Sequence, residues 1–220
     1  MTYTIIITHR TPEYLKYALT DAHEYNYALG VKLVRGAYHT HEIAAHAEAT
    51  SLADASTRSS GELITKSKSS LSTNGNAASL SISPERLPPV WLQKAETDVC
   101  YDACAALLVS ALATELKEVH GTDKGESIKA PPRLALLFGT HNWASAGYIL
   151  KALEAYELAE RIDIHSSFRN EPGWGVDDGA IRVTDDVAER VALAQLYGMS
   201  DALTDALVER TRCSFPFVIK

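Results

Sequence analysis

The chain has 220 residues, 46% of them hydrophobic, and a formal net charge of -7. That is enough apolar matter for one core, and the acidic balance argues against a nucleic-acid binder. No uninterrupted apolar run approaches the roughly 18 residues that a bilayer span needs. Cys100, Cys104 and Cys213 fit neither a zinc spacing nor an even set of disulfides, which suits a reducing compartment. The first residues show no Arg/Ser-rich, acid-poor targeting segment.

Tyr3-Thr4-Ile5-Ile6-Ile7 reads as a short strand. Thr11-Pro12-Glu13 predicts a helix start, with Thr11 as cap, Pro12 in the first turn and an early acid. The helix is expected to reach about Ala28, with Leu15, Ala18, Leu19, Ala22 and Tyr25 on one face and Gly30 as its stop. Val31 to Val34 follow as a strand, with Lys32 inside it and Arg35 at its end. A buried parallel strand should be a nearly continuous apolar run. Two cations break this one, and a buried unpaired charge is costly. Lys32 and Arg35 therefore need anionic partners or solvent, and an edge strand facing water is the plainer reading. Gly36 and Ala37 leave room for a close approach to the backbone.

A short helix is expected over Glu42–Ala53. From about residue 51 to 89, Ser, Thr, Asn and Lys dominate and Pro88-Pro89 closes the stretch. It is too polar to pack and too long for an ordered connection, so it reads as a disordered surface insertion. Asp98 to about Val119 is a strong helix with Cys100, Cys104, Leu107, Leu108, Ala111 and Leu112 as its stripe; the thiols are expected as small buried side chains. A loop from Gly121 to Pro132 leads to a buried strand, Arg133 to Phe138, which stops at Gly139-Thr140-His141-Asn142. A helix over Trp143 to Glu160, a long loop over Ser166 to Asp186, a strand over Val191 to Leu196, a helix from Ser200 and a strand over Phe215 to Ile219 complete the order. Alternating helices and strands imply parallel βαβ units and an α/β fold. Four strands are visible, five with the first run, whereas a (β/α)8 barrel needs eight strands and about 250 residues. In such folds functional side chains sit where strands end. That singles out Lys32 to His39, Gly139 to Asn142 and Gln195 to Met199. On pattern alone, Asn142 is an N-cap, His141 a satisfied strand-end histidine and Leu196 a core residue.

Ala28-Leu29-Gly30 followed by Val31 to Tyr38 closely resembles the signature of proline dehydrogenases. Further stretches resemble the same family in the same order. They are Thr97-Asp98-Val99-Cys100-Tyr101-Asp102-Ala103-Cys104, Phe138-Gly139-Thr140-His141-Asn142, Ala194-Gln195-Leu196-Tyr197-Gly198-Met199 and Phe215 to Lys220. The similarity is greatest to fungal, mitochondrial members. It implies that residues 1–220 are the second half of a (β/α)8 TIM-like barrel without its final helix. It also implies FAD-dependent oxidation of L-proline to 1-pyrroline-5-carboxylate in proline catabolism, with hydride passed to flavin N5 and electrons to a quinone. Mitochondrial localisation and association with the inner membrane come with the same resemblance.

By that resemblance Lys32 is the catalytic cation beside flavin N5, where it would stabilise the negative charge of the reduced flavin. Val34, Gly36 and Ala37 lie close to the isoalloxazine ring. Tyr38 and Leu196 border the proline. His39, where many bacterial members have Trp, is carried over as a cofactor contact. Thr140, His141 and Asn142 hold the pyrophosphate end, with Asn142 opening a helix whose dipole attracts phosphate. Asp98 and Tyr101 match family positions without an assigned role. The family's early strands and its arginine-bearing last helix have no counterpart. Residues 1–220 alone are therefore expected to hold little FAD and to leave proline unoxidised. Two alternatives stand beside this reading. One is a metal-dependent amidohydrolase-like barrel, with His39, His41 and His141 as ligands. Against it, the closing strand supplies no aspartate, and Val34 to Tyr38 have no role there. The other is a non-catalytic fragment.

Overall fold

Strand β1 (Thr2–Ile6) passes into helix α1 (Thr11–Tyr25) through a turn tied by two threonines. Thr11 Oγ1 accepts from the Thr8 amide at 2.8 Å and donates to the Ile6 carbonyl at 2.9 Å. The N-cap position is Arg10, without a side-chain cap, and a proline stands in the first turn. The helix stops earlier than its periodicity suggested. Asn26 adopts φ 52°, the left-handed conformation that ends helices and that a short polar side chain tolerates. Gly30 is thus not the stop but lies within strand β2 (Leu29–Val34), opposite Thr2. Leu15, Ala18 and Ala22 are buried as expected, while Tyr25 points to solvent.

The structure, a computed structural model, describes residues 1–36, 38–59, 87–121, 133–162, 180–211 and 217–219. Helix α2 (His39–Ser59) starts earlier and ends later than the helix expected over Glu42–Ala53. The expected disordered insertion therefore loses its first residues to α2. Residues 87–93 are irregular, with Val90 buried, and the remainder, 60–86, lies outside the described residues. Helix α3 (Lys94–Gly121) precedes strand β3 (Leu134–Gly139) and helix α4 (Trp143–Ala155). Most of the loop expected over Gly121 to Pro132 also lies outside the described residues.

One short strand, Ala180–Val183, replaces the end of the loop expected over Ser166 to Asp186, whose residues 166–179 lie outside the described residues. β4 (Ala159–Ile162) and β5 (Ala180–Val183) form a separate antiparallel pair. Helix α4 ends at Ala155 rather than Glu160 because Glu157 takes φ 62° and Leu158 folds back, its amide 2.9 Å from the Leu153 carbonyl. The short helix α5 (Asp185–Ala188), strand β6 (Val191–Gln195), helix α6 (Asp201–Thr211) and strand β7 (Phe217–Ile219) finish the chain.

The main sheet is parallel, in the order β1-β2-β3-β6-β7. Among the described residues it is open. Ile5, Leu33, Phe138 and Leu193 share one row, and all are buried with Leu15, Leu108, Leu112, Ile149 and Leu203 of the helices in one apolar cluster. The neighbouring row, Thr4, Lys32, Leu137 and Ala192, faces the other way and stays accessible. The alternation follows from the two-residue period of a strand. Helix α3 is long and apolar enough by composition to cross a bilayer, but much of it is buried. Tyr101, Cys104, Leu108 and Leu112 lie in the cluster, so its apolarity is that of a central core helix. Cys100 and Cys104 are free buried thiols, as expected. At the far end of the strands, Glu115 accepts the Leu134 amide at 2.9 Å and pairs with Arg190 at 2.5 Å, tying α3 to the starts of β3 and β6.

Candidate functional site

Lys32 and Arg35 are three residues apart, so they leave β2 on opposite faces. Lys32 sits on the open face beside Thr4 and Leu137, half-exposed and without a hydrogen bond or ion pair among the described residues. Its charge is met by solvent. Arg35 turns to the helix side and is only 19% exposed. Its Nε donates to Asp98 Oδ1 at 2.9 Å, Nη1 to Thr140 Oγ1 at 2.5 Å and Nη2 to Ser145 Oγ. Its Cζ lies 4.1 Å from the centroid of the Tyr101 ring, and the Tyr101 hydroxyl donates to the Gly139 carbonyl at 3.3 Å. One guanidinium thus joins β2, α3, the β3 end and α4.

The carboxylates around it are held differently. Burial alone would raise the Asp98 carboxyl. Hydrogen bonds from Lys94 and Arg35 outweigh that and hold it below the usual carboxylate value. Asp102, one turn on, is pushed up, chiefly by burial, although Ser145 bonds it and Arg35 attracts it. Its Oδ1 is buried without a partner.

Where β3 ends, the backbone is fixed residue by residue. A Cβ at Gly139 would stand 2.9 Å from Val34 Cγ1, so glycine lets β2 and β3 close up here. The Thr140 amide donates to the Ala194 carbonyl at 3.2 Å, and its hydroxyl accepts the Asn142 amide at 3.1 Å. Asn142 Oδ1 caps α4, accepting Ala144 N at 2.9 Å and Ser145 N at 3.4 Å, as the sequence predicts. His141 Nε2 accepts the Leu196 amide at 3.4 Å. The imidazole proton then belongs on Nδ1, a buried atom with no partner among the described residues. Burial, and next the charge of Arg35, lower the His141 pKa.

The structure brings Thr140, His141, Asn142 and Leu196 together at the ends of β3 and β6. Lys32 lies further back, level with Leu137 rather than with the strand ends, and Val34 follows it on the same face. Gly36 takes φ +110°, and a Cβ there would be 2.7 Å from Ile6 Cγ2, so any other residue is strained here. Ala37 lies outside the described residues. Tyr38 and Leu196 are exposed at the rim, which corrects the plain reading of Leu196 as a core side chain. His39 opens α2 with Nε2 2.6 Å from the Trp91 carbonyl oxygen. The metal-site alternative loses its geometry here. His39 is engaged by Trp91, His141 by Leu196, and no three His, Cys, Asp or Glu side chains among the described residues could hold a metal ion. Sequence reasoning also assigned no role to Arg35, Tyr101, Asp102 and Ser145 as a connected group. The available signal was the parity of Lys32 and Arg35, which sends the second cation toward the helices.

The fold and site define a parallel α/β domain whose polar residues gather at the strand ends. Residues 83–167 match the family model of proline dehydrogenase, and α3, β3, α4 and β4 fall within the match. Among solved structures, a bifunctional proline utilization A (PutA) protein superposes on 99% of this chain, with a TM-score of 0.55 and 19% identity. A PutA mutant of Bradyrhizobium japonicum gives the same values. PutA from Bdellovibrio bacteriovorus, inactivated by N-propargylglycine, superposes on 98% at 15% identity. At such identities the likeness establishes the fold. The chain spans 14% of the length of these PutA chains. A search of curated proteins finds no significant match.

Proposed function

We propose that this chain is part of a proline dehydrogenase, its open sheet being the second half of a (β/α)8 barrel. In this reading the full-length protein oxidises L-proline to 1-pyrroline-5-carboxylate with FAD and passes the electrons to a quinone. It does so in the mitochondrion, against the inner membrane. The observation that carries the reading is the family match over residues 83–167, which takes in Thr140, His141 and Asn142 of the strand-end cluster. PutA chains of the same fold support it, one of them described as having proline bound in remote sites.

The residues present fit a flavin dinucleotide. His141 offers a buried Nδ1–H donor with no protein partner beside the capped start of α4. Gly36 keeps the end of β2 free of a side chain. Among the described residues of the row Thr4, Lys32, Leu137 and Ala192 on the open face, Lys32 is the charged one. When bound, FAD would supply the two-electron acceptor for the hydride of the proline ring. Lys32 would place positive charge on the face where that negative charge arrives. Val34, Gly36 and Ala37 would border the flavin, and His39, Thr140, His141 and Asn142 the remainder of FAD. Tyr38 and Leu196 would give the proline ring an apolar wall. An absorbance scan with metal analysis of the purified full-length protein tests this assignment. Stoichiometric flavin is expected; protein purified without flavin that takes up none on adding FAD would contradict it.

A further inference from the structure

We propose that Arg35 is a positioning residue that, through Thr140 and Ser145, holds His141 as an Nδ1–H donor at the strand ends. A backbone amide meets the imidazole. Leu196 N–H points at Nε2, and two donors cannot face each other, so Nε2 must be the unprotonated nitrogen. The ring is placed by the turn Thr140 to Asn142. That turn is anchored by Arg35 on the Thr140 hydroxyl, by the Asn142 amide on the same hydroxyl, and by Asn142 capping α4. Arg35 is itself fixed by Asp98 and by the Tyr101 face.

α3 presents Asp98, Tyr101 and Asp102 to this cluster, with Lys94 beyond Asp98. α4 and the end of β6 contribute the neutral Ser145, Asn142 and Leu196 amide. Arg35 is the charged group that acts on His141, and a neighbouring cation disfavours imidazolium. Geometry and charge therefore select the same state: neutral, proton on Nδ1. This deepens the proposed function, because His141 is one of the residues assigned to the cofactor, but its test needs no cofactor.

The test is nitrogen NMR of the His141 ring in the cofactor-free full-length protein, titrated across neutral pH. Wild type is expected to show the Nδ1–H tautomer. In Arg35→Gln the His141 titration midpoint is expected to rise and the Leu196 amide to lose its hydrogen-bonded shift. Arg35→Lys, which keeps the charge but not the fork, is expected to restore the midpoint and not the amide shift. A residue that merely stabilises the fold would not produce that split. If Arg35→Gln does not fold, the nearly isosteric Thr140→Val makes the same test of the amide shift, which it is expected to lose. An Nε2–H tautomer in wild type, or unchanged His141 and Leu196 signals in the folded variants, would overturn the proposal. Absent FAD binding or proline oxidation would instead count against the function and leave this result standing.

Discussion

Arg35→Ala removes a side chain that ties β2 to α3, the β3 end and α4. The magnitude follows from burial. An exposed ion pair contributes about 0–1 kcal/mol, whereas breaking a buried one costs about 3–5 kcal/mol because the partner charge is left unpaired. Arg35 and Asp98 are 19% and 23% exposed, nearer the second case. Lys94 still reaches Asp98 at 2.5 Å and relieves part of that cost. The lost stacking on Tyr101 adds about 0.5–1 kcal/mol. A net loss of about 2–3 kcal/mol is expected. In urea, with a slope of about 2–3 kcal/mol/M, the midpoint should fall by about 1 M. Asp98→Ala should cost about 2 kcal/mol, and the double variant less than the sum by about 1 kcal/mol. The pH dependence has a definite sign. The folded Asp98 carboxyl lies below its unfolded value of 3.8, so its contribution is present above that pH and lost as pH falls through the folded value. The gap between wild type and Asp98→Ala should therefore close in acid. A cost for Arg35→Ala below about 0.5 kcal/mol, with additive single and double variants, would refute the reasoning.

Lys32→Met in the full-length protein should slow proline-dependent flavin reduction by about tenfold or more while changing proline affinity far less, because its charge matters as negative charge arrives; stopped-flow reduction over a proline series separates the two. Gly36→Ala places a Cβ against Ile6 at φ +110° and should cost about 1–3 kcal/mol, read as a fall in thermal midpoint. Asn142→Ala removes the α4 cap and should cost about 1 kcal/mol, with Asn142→Asp restoring most of it; equal stabilities would show the cap to be idle.

The parallel core was legible because its strands are short, mostly apolar runs ended by glycine or polar residues, as Leu134–Gly139 is and as Val31–Val34 is apart from Lys32. Boundaries failed where one residue's backbone decided them. Asn26 ended α1 while Ala28 and Leu29 still read as helix. β4 and β5 escaped because Ala159 to Ile162 carries two charges in four residues and Ala180 to Val183 has too few residues for a period to emerge. The candidate site was legible in that Thr140, His141, Asn142 and Leu196 follow directly on strands β3 and β6. It was not legible at the level of wiring, because the partners of Arg35 lie 63 to 110 residues away in sequence. Local patterns carry no such distance information. Parity alone separated the solvated Lys32 from the partly buried, paired Arg35, and family likeness had drawn attention to the first.

The central claim is that these strand ends hold a flavin where proline can reduce it. Anaerobic titration of the FAD-loaded full-length protein with L-proline, followed by flavin absorbance, tests it most directly. The account predicts stoichiometric loss of the oxidised-flavin spectrum, and formation of 1-pyrroline-5-carboxylate. A stably bound flavin whose spectrum stays oxidised at saturating proline would contradict it.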